Sequence, residues 1–333
     1  MEQRGAGTMP DQDFDRRTDR YRRELLAHCY RMLGSVHDAE DLVQETLLRA
    51  WRAYDQFDEG RASMRTWLYR IATNACLTAL EGRGRRPLPS GLGAPSGDTE
   101  TELDRRPEVP WLQPIPDALL ASEPDDPAAI AVSRDSVRLA LIAALQHLPA
   151  KQRAVLIMRD VLAWRAAEVA ELLDTSTTAV NSALQRARAH LAAVAPAEDD
   201  VSEPSDAEQR ELLDRYVTAF VNADVAGLMD MLRDDVVVEM PPAPAWFAGA
   251  EARRFLSGRV TASRGEWRLV PTRANGRPAV GAYRRGAGGV LRAHSVQLFT
   301  CTRTGIAHIV AFQDPDLFPA FGLPEVQPDV APV

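Results

Sequence analysis

The sequence predicts a multidomain protein in which two all-α modules, a helical bundle and a helix-turn-helix, precede an α+β domain with a curved antiparallel sheet. Three observations support this fold class. Apolar residues recur at helical spacing from Phe14 to Leu80 and again from Val137 to Leu191. The last third of the chain begins with helical patterns and continues with a run of strand patterns, an order typical of α+β domains. Segments rich in glycine, proline and acidic residues separate the three parts.

The bundle is expected to contain three amphipathic helices. The first covers residues 14–33 and ends at Gly34. Ser35 then offers an N-cap, and Asp38 follows three residues later as its capping-box partner. Residues 38–80 predict two more helices joined by a short loop. The apolar stripes of the three helices are sufficient for one small bundle.

The second and third helices each carry a polar face beside the apolar one. In the second helix, the inward positions are Ala39, Leu42, Val43, Thr46, Leu47, Ala50, Trp51 and Tyr54. Its outward positions are Asp41, Gln44, Glu45, Leu48 and Arg52. In the third helix, Trp67, Leu68, Ile71, Ala72 and Ala75 point inward, whereas Thr66, Arg70, Thr73, Asn74 and Leu77 point outward. A charged face of this kind is either solvated or docked on a partner with complementary charge.

The formal net charge of −8 is unevenly distributed. Residues 13–86 hold 14 Lys+Arg against 12 Asp+Glu, a balance of +2, and residues 128–194 hold 8 against 5, a balance of +3. The acidity lies in residues 87–127, with 2 against 9, and in residues 195–210, with 1 against 6. Two mildly basic modules separated by acidic spacers indicate modular construction and favour nucleic-acid binding only weakly.

The second module shows the helix-turn-helix pattern. Residues 166–173 form the expected first helix, residues 174–176 the turn, and residues 177–191 the recognition helix. The side chains predicted to hold the pair together are Val169, Leu172, Val180, Leu184 and Ala187. The outward set is Thr177, Thr178, Asn181, Ser182, Gln185, Arg186 and Arg188. A structural helical hairpin would share the apolar pattern, so the polar set at the start of the helix is what favours base reading.

Cysteine usage and hydropathy exclude several classes. Cys29, Cys76 and Cys301 stand far apart with no C-x-x-C pair, so no zinc site, other metal or cofactor is expected. No apolar run approaches 18 residues, and the amino terminus has no basic-then-apolar pattern. We therefore expect neither membrane contact nor a signal peptide, and a cytoplasmic location.

The segments "DAEDLVQETLLRAW" and "TWLYRIATNACL" resemble region two of bacterial sigma factors of the extracytoplasmic-function group. The resemblance implies that the first segment docks on core RNA polymerase through Asp41, Gln44 and Glu45, with Arg52 on the same face. It implies that the second segment opens promoter DNA at the −10 element. The residues it assigns to that DNA are Trp67, Arg70, Thr73, Asn74, Arg85 and Arg86. Helical period alone would make Trp67 a core residue, and both interpretations stay open.

The segment "LPAKQRAVLIMRDVLAWRAAEVAELLDTSTTAVNSALQRARAHL" resembles region four of the same group. This implies contact with the −35 element of a promoter. The base-reading candidates are Thr177, Thr178, Asn181, Ser182 and Gln185, and the phosphate-binding candidates are Arg186 and Arg188.

The last domain resembles the SnoaL-like branch of the nuclear-transport-factor cone fold, through "GLMDMLRDDVVVEMPP", "WFAG", "NGRPAVGAYRR" and "IAHIVAFQDPDLF". Sigma factors with this extension and a "WLxPxPD" linker motif form a subgroup, and residues 111–117 carry that motif. Three large apolar residues around it suggest docking, either on another protein or on a neighbouring domain. A cone encloses a pocket, and its candidate lining residues are Trp246, Tyr283, His294 and His308.

The expected function is that of an RNA polymerase sigma factor that directs promoter recognition and transcription initiation and is gated by its own carboxy-terminal domain, without enzyme activity. Core polymerase and promoter DNA are the expected partners, and an anti-sigma protein or a small ligand is left open. The alternatives are a helix-turn-helix regulator without sigma activity and a SnoaL-like enzyme with a DNA-binding appendage. The expected boundaries are 13–86 for region two, 87–127 for the linker, 128–194 for region four, 195–206 for an acidic linker and 207–325 for the regulatory domain.

Overall fold

The computed structural model describes residues 9–100, 103–120, 135–194 and 204–327. The chain divides into two compact units, neither of which is continuous in sequence. The first unit combines Met1–Arg85 with Leu119–Ala195, and the second combines Arg86–Ala118 with Pro196–Val333. The two helical modules that the sequence separated therefore lie in one unit, and most of the predicted linker lies in the other.

The secondary structure follows the predicted order, except that the helix expected over residues 14–33 is replaced by two helices, Met9–Thr18 and Arg22–Leu33, joined by a 3₁₀ turn at Asp19–Tyr21. The helices are α1 (Met9–Thr18), α2 (Arg22–Leu33), α3 (Val36–Arg52), α4 (Met64–Leu80), α5 (Asp117–Leu120), α6 (Leu139–Leu145), α7 (Ala150–Leu156), α8 (Ala166–Leu172), α9 (Thr177–Val194), α10 (Asp206–Val221), α11 (Val225–Met231) and α12 (Gly249–Ala262). The strands are β1 (Leu232–Glu239), β2 (Trp246–Ala248), β3 (Trp267–Ala274), β4 (Arg277–Arg285), β5 (Leu291–Thr302), β6 (Gly305–Phe312) and β7 (Val326–Gln327). In the part of the chain that the structure describes, no helix has the length and hydrophobicity needed to cross a bilayer.

In the bundle of α1 to α4, helix ends coincide with capping residues. Gly34 ends α2 in the left-handed conformation, at a φ of 68°, which glycine adopts without steric cost. The Ser35 hydroxyl accepts a hydrogen bond from the Asp38 amide at 3.2 Å and so caps α3. Ser63 caps α4 in the same way through the Thr66 amide at 3.1 Å. The predicted N-cap of α3 is confirmed.

Two buried arginines join the bundle to the helices of the second module. Arg31 on α2 donates to the Ser136 hydroxyl at 2.6 Å. Arg153 on α7 donates to the Met32 carbonyl of α2 and to Gln146 Oε1 at 2.9 Å. Burial lowers the pKa of each guanidinium to about 10. Both groups stay charged at neutral pH, so carbonyl, hydroxyl and amide oxygens must compensate their lost hydration.

The helix-turn-helix has the expected geometry. A π-helical turn at Ile157–Val161 continues α7, and α8 and α9 then form the helix pair. In the turn between them, Asp174 adopts a positive φ of 49°, a conformation that aspartate tolerates better than most residues. The Ser176 hydroxyl accepts a hydrogen bond from the Ala179 amide at 3.1 Å at the start of α9.

The second unit contains one seven-stranded sheet with the path β2-β1-β6-β5-β4-β3, and β7 pairs with β5. The α+β class is confirmed, but the expectation of a purely antiparallel sheet is wrong, because β1 and β6 pair in parallel. β1 follows directly on α11 and enters the sheet beside the distant β6, whose direction it shares. Strand patterns carry no information about such a non-local neighbour.

Helices α10, α11 and α12 cover one face of this sheet. Their apolar residues and alternate residues of the strands form a single core. Its largest members include Tyr216, Phe220, Phe247, Phe255 and Phe299. This packing fills the space between sheet and helices with aromatic and aliphatic side chains.

The described residues of segment 86–118 have little regular secondary structure, as predicted, but they are hydrogen-bonded to the rest of the second unit. The Ile115 amide donates to Asn275 Oδ1 at 3.0 Å, and the Asn275 amide donates back to the Ile115 carbonyl at 3.0 Å. Asp117 Oδ1 accepts from the Gly276 amide at 2.8 Å. The apolar island of the linker therefore packs on a domain of its own chain. Residues 195–203 of the acidic linker lie outside the described residues.

Candidate nucleic-acid interface

The recognition helix α9 presents the predicted polar set to solvent. Of the base-reading candidates, Thr177, Thr178, Asn181 and Gln185 are exposed, and Ser182 is half-buried. The opposite side of the helix is held in the core by Val180, Leu184 and Ala187. The first turns of α9 thus carry short polar groups that are free of the core, which is the arrangement needed at base edges in a major groove.

The two phosphate candidates of α9 differ in their contacts. Arg186 is exposed. Arg188 is also exposed but forms two hydrogen bonds to the carboxylate of Asp160, at 2.7 and 2.9 Å. An ion pair in solvent contributes little to stability, so a phosphate group can replace the carboxylate at small cost.

On α4, the candidates for −10 DNA lie in different environments. Asn74 is exposed. Arg70 is half-buried and donates to Glu171 of α8 at 3.1 Å. Trp67 is half-buried, with its ring stacked on Phe57 at a centroid distance of 4.7 Å. One side of this ring is therefore packed, and the side chain keeps some exposure to solvent.

Thr73 was predicted on the outer face of α4, and this prediction is wrong. The residue is 0% exposed, and its hydroxyl lies 2.9 Å from Nε2 of the buried His28. The core side of α4 includes Leu68, Ala72 and Cys76. The small residues on it let α2 approach closely, so the buried stripe extends one position further than the apolar pattern indicates. Thr73 is a core residue.

Replacing Thr73 with valine tests this correction. Valine keeps the shape but removes the hydroxyl partner of His28, so the free energy of unfolding should fall by about 1–2 kcal/mol in urea titrations. The control Asn74→Ala changes the exposed neighbouring position and should leave the unfolding midpoint within about 0.5 kcal/mol of the intact protein. Unchanged stability of Thr73→Val would contradict the buried hydrogen bond.

The polar face of α3 contains two large apolar side chains, Leu48, which was predicted there, and Trp51, which was not. Trp51 was predicted in the core, but it is 48% exposed, and Leu48 on the same face is 41% exposed. Asp41, Gln44 and Arg52 are exposed around them, whereas Glu45 is half-buried and forms an ion pair with Arg49 at 2.7 Å. We call Asp41, Gln44, Leu48, Trp51 and Arg52 the α3 face. Exposed aromatic and aliphatic groups inside a polar rim are typical of a protein-docking surface.

Sequence reasoning predicted Leu48 on this face but missed Trp51. The helical spacing places Leu48 outside the apolar stripe that faces the core. Trp51 lies at the border of that stripe, where a large apolar residue is assigned to the core by default.

The basic residues after α4 are already engaged. Arg85 is exposed and donates to Nδ1 of His147 at 3.0 Å. Arg86 begins the second unit, where its guanidinium is half-buried and donates to the Trp111 carbonyl at 3.0 Å. Arg86 therefore holds the folded linker in this structure, whereas Arg85 stays accessible from solvent.

The four candidate pocket residues of the second unit do not converge. Tyr283 packs on Phe318 at 5.1 Å and donates to the Pro324 carbonyl at 2.9 Å. His308 bonds the buried carboxylate of Glu239 at 2.9 Å. Strand alternation places these groups on the sheet face away from the helices, because Val238 and Ala282 belong to the helix-side core.

The other two candidates lie elsewhere. Trp246 is on the edge strand β2 and donates to the Gly93 carbonyl at 2.9 Å. His294 contacts Trp267 edge to face at 4.9 Å, and Trp267 in turn contacts Phe220 of α10, so this pair lies on the helix side. The structure thus provides no single pocket formed by all four residues.

Comparison with known proteins agrees with these two helical modules. The family profile of Sigma-70 region 2 matches residues 18–86, and that of Sigma-70, region 4 matches residues 138–191. These ranges contain the α3 face, α4 and the helix-turn-helix.

The similarity extends along most of the chain. The chain is 53% identical over 316 residues to the ECF RNA polymerase sigma factor SigG of Mycobacterium tuberculosis strain H37Rv. The aligned part covers 94% of this chain and 84% of SigG. The crystal structure of the extracytoplasmic function sigma factor SigJ of Mycobacterium tuberculosis has the same fold, with a TM-score of 0.60, 24% identity, and coverage of 94% of this chain and 100% of that chain. The chain belongs to the extracytoplasmic-function (ECF) family of RNA polymerase sigma factors.

Proposed function

We propose that this sigma factor directs core RNA polymerase to promoters through three surfaces of its first unit, and that its second unit gates it by holding the linker. The α3 face would bind polymerase, α4 would act on −10 DNA, and the start of α9 would read the −35 element. The observation that supports gating is the set of hydrogen bonds between the linker and the second unit. Such a factor works in the cytoplasm, where polymerase is.

The α3 face suits a polymerase helix as its partner. Leu48 and Trp51 supply exposed apolar area, and Asp41 and Arg52 supply charges at the rim. Aromatic residues in a partly apolar patch contribute a large share of binding energy at protein interfaces. A charged rim favours one orientation of the partner.

Replacing Trp51 with alanine should weaken binding to core polymerase at least tenfold, because a central aromatic contact at an interface contributes about 2 kcal/mol or more. The measurement is the dissociation constant of the full chain with purified core polymerase. Leu92→Ala removes another exposed apolar side chain, 47% exposed and outside the α3 face, and should leave the affinity unchanged. Equal effects of the two variants would contradict docking through α3.

Within the first unit, the helix proposed to act on −10 DNA contacts the first helix of the helix-turn-helix. Arg70 of α4 pairs with Glu171 of α8, and both side chains keep partial exposure, at 38% and 69%. The pair contributes at most about 1 kcal/mol, so DNA phosphates can take over Arg70. We infer that the contact between α4 and α8 is exchanged for promoter contacts when the factor binds DNA.

The proposed gating of promoter binding depends on the hydrogen bonds between the linker and the second unit. The linker connects the module for −10 DNA to the module for −35 DNA. The length of linker that is not bound to the second unit limits the distance between these two modules. The bonds that hold it include Ser90 N to Glu239 Oε2 at 2.7 Å, Arg106 N to the Pro242 carbonyl at 2.9 Å, Ile115 N to Asn275 Oδ1 at 3.0 Å and Gly276 N to Asp117 Oδ1 at 2.8 Å. Because the second unit is covalently attached, its effective concentration at the linker is on the order of millimolar. Weak individual bonds are then enough to keep the linker held.

Weakening two of these bonds should raise transcription. Asn275→Gly removes the acceptor for Ile115 and keeps the positive φ of 53° that this turn position requires. Asp117→Ala removes the acceptor for Gly276. Each loss of about 1–2 kcal/mol shifts the equilibrium between held and released linker roughly 5- to 30-fold, so promoter output should rise several-fold with saturating polymerase.

Asp104→Ala is the matched control for these variants. Asp104 is an exposed linker carboxylate whose contact is an ion pair with Arg106 at 3.3 Å, within the linker itself. Its removal should leave output unchanged. Output that does not rise in Asn275→Gly and Asp117→Ala would refute gating through the linker while leaving the family assignment intact.

A further inference from the structure

Four side chains of the second unit form a basic cluster that the proposed gating contacts do not use. Trp267 on β3, Arg284 on β4 and His294 on β5 lie side by side, and Arg259, near the end of α12, is close enough for its charge to act on Arg284 and His294. The Trp267 and His294 rings meet at 4.9 Å, and the Arg284 guanidinium lies 5.8 Å from the centre of the Trp267 ring. We call Arg259, Trp267, Arg284 and His294 the basic cluster.

The imidazole of His294 is neutral and incompletely paired. Its Nδ1 atom is buried and has no hydrogen-bond partner among the described residues. Burial first, and then the neighbouring arginines, lower the pKa of His294 to about 4. Buried polar atoms in proteins are nearly always hydrogen-bonded, so this ring nitrogen is free to bond a partner that the described residues do not supply.

The cluster also carries uncompensated positive charge. Arg284 pairs with Glu266 at 2.9 Å in a largely solvated contact. Arg259 forms no ion pair within the described parts of the chain, and its guanidinium lies 5.3 Å from the Phe255 ring. Burial first, and then the like charge of Arg284, lower the pKa of Arg259, which is the direction expected where two guanidinium groups repel each other. An anion between them would relieve this repulsion.

Guanidinium groups recognise carboxylates and phosphates through paired N–H donors at fixed spacing. Arg105 also acts on His294, but three cations are still too few for appreciable non-specific binding to a nucleic acid, which depends on many phosphate contacts. The half-buried Trp267 adds apolar surface next to the charges. This combination fits a small anion with an apolar body better than a polymer.

We propose that the basic cluster is a binding site for a small organic anion, whose carboxylate or phosphate group is held by Arg259 and Arg284 beside the Trp267–His294 pair. The site lies in the second unit on the helix side of the sheet, whereas Glu239, the acceptor of the linker amide at Ser90, points to the other side. The proposal does not depend on gating.

The test titrates the full chain, carrying isotope-labelled histidine, with benzoate and with phenyl phosphate at constant ionic strength. The ring resonance of His294, assigned with His294→Gln, should shift saturably with at least one probe. The bound anion should also raise the pKa of His294 above about 4, since it favours the imidazolium. The tighter of the two probes identifies a phosphate or a carboxylate ligand.

Arg259→Gln and Arg284→Gln should each weaken binding at least tenfold. Arg254→Gln is the matched control, because Arg254 lies on the same helix, is exposed and pairs with Glu251 at 2.5 Å. Urea unfolding of each variant verifies that the second unit remains folded. A shift that does not saturate, or an affinity that falls equally in Arg254→Gln, would overturn the proposal.

Discussion

Replacing Arg153 with methionine should lower the free energy of unfolding of the first unit by about 3 kcal/mol. The side chain is buried, and its guanidinium donates to Gln146 Oε1 at 2.9 Å, to the Gln146 carbonyl at 3.2 Å and to the Leu148 carbonyl at 3.1 Å, besides the Met32 carbonyl. Methionine fills much of the same volume but leaves these oxygens without a donor. Each unsatisfied buried oxygen costs about 1 kcal/mol or more, which outweighs the gain from removing a buried charge.

The measurement is urea unfolding followed by far-ultraviolet circular dichroism. Lys151→Met on the same helix is the control, because Lys151 is exposed and its loss should change stability by no more than about 0.5 kcal/mol. If Arg153→Met were as stable as Lys151→Met, the buried arginine would not join the modules as described.

Acid should destabilise the first unit through His28. Burial lowers the pKa of this imidazole from 6.5 to about 3, with Arg31 and Arg65 adding to the effect. Between these two pKa values the unfolded chain binds a proton on His28 and the folded protein does not. The contribution of His28 to the free energy of unfolding is therefore fully present above pH 6.5 and is lost as the pH falls towards 3. Between pH 7 and pH 4 this one residue should cost about 3 kcal/mol.

Urea unfolding at pH 7 and at pH 4 measures this loss. In His28→Gln the difference in free energy between the two pH values should shrink by about 3 kcal/mol relative to the intact protein. His190→Gln, which changes an exposed histidine of α9, should retain the full difference. A pH dependence that is the same in all three proteins would contradict a buried neutral His28.

Local signals in the sequence predicted most of the architecture. Helical period located α3, α4 and α9, and a serine with a partner three residues later located the start of α3. The run of strand patterns expected in the last third of the chain corresponds to β3 to β6. β2 was missed, since three residues are too short to establish a period.

The errors at Trp51 and Thr73 have a common cause. Both residues lie at the border of an apolar stripe. At this position, the rotation of about 100° per residue along a helix does not determine whether a side chain is buried or exposed. The true burial of each depends on how closely the neighbouring helix approaches. For Thr73 it also depends on His28, which offers a polar partner inside the core.

Contacts made through the backbone could not be predicted from residue patterns. Arg153 binds carbonyl oxygens, and Asn275 binds the backbone of Ile115, so neither contact has a complementary side chain at a recognisable spacing. The same holds for the Arg86 contact with the Trp111 carbonyl. Such bonds determine which segment belongs to which unit, and for this reason the expected linker was found within the second unit.

Transcription with purified core RNA polymerase, with the start sites mapped, tests the central claim most directly. The full chain should produce transcripts from discrete start sites that are absent with polymerase alone. Variants of the recognition helix such as Asn181→Ala should reduce those transcripts without creating new start sites. Binding of the chain to DNA without any start site that depends on both the chain and polymerase would contradict its action as a sigma factor.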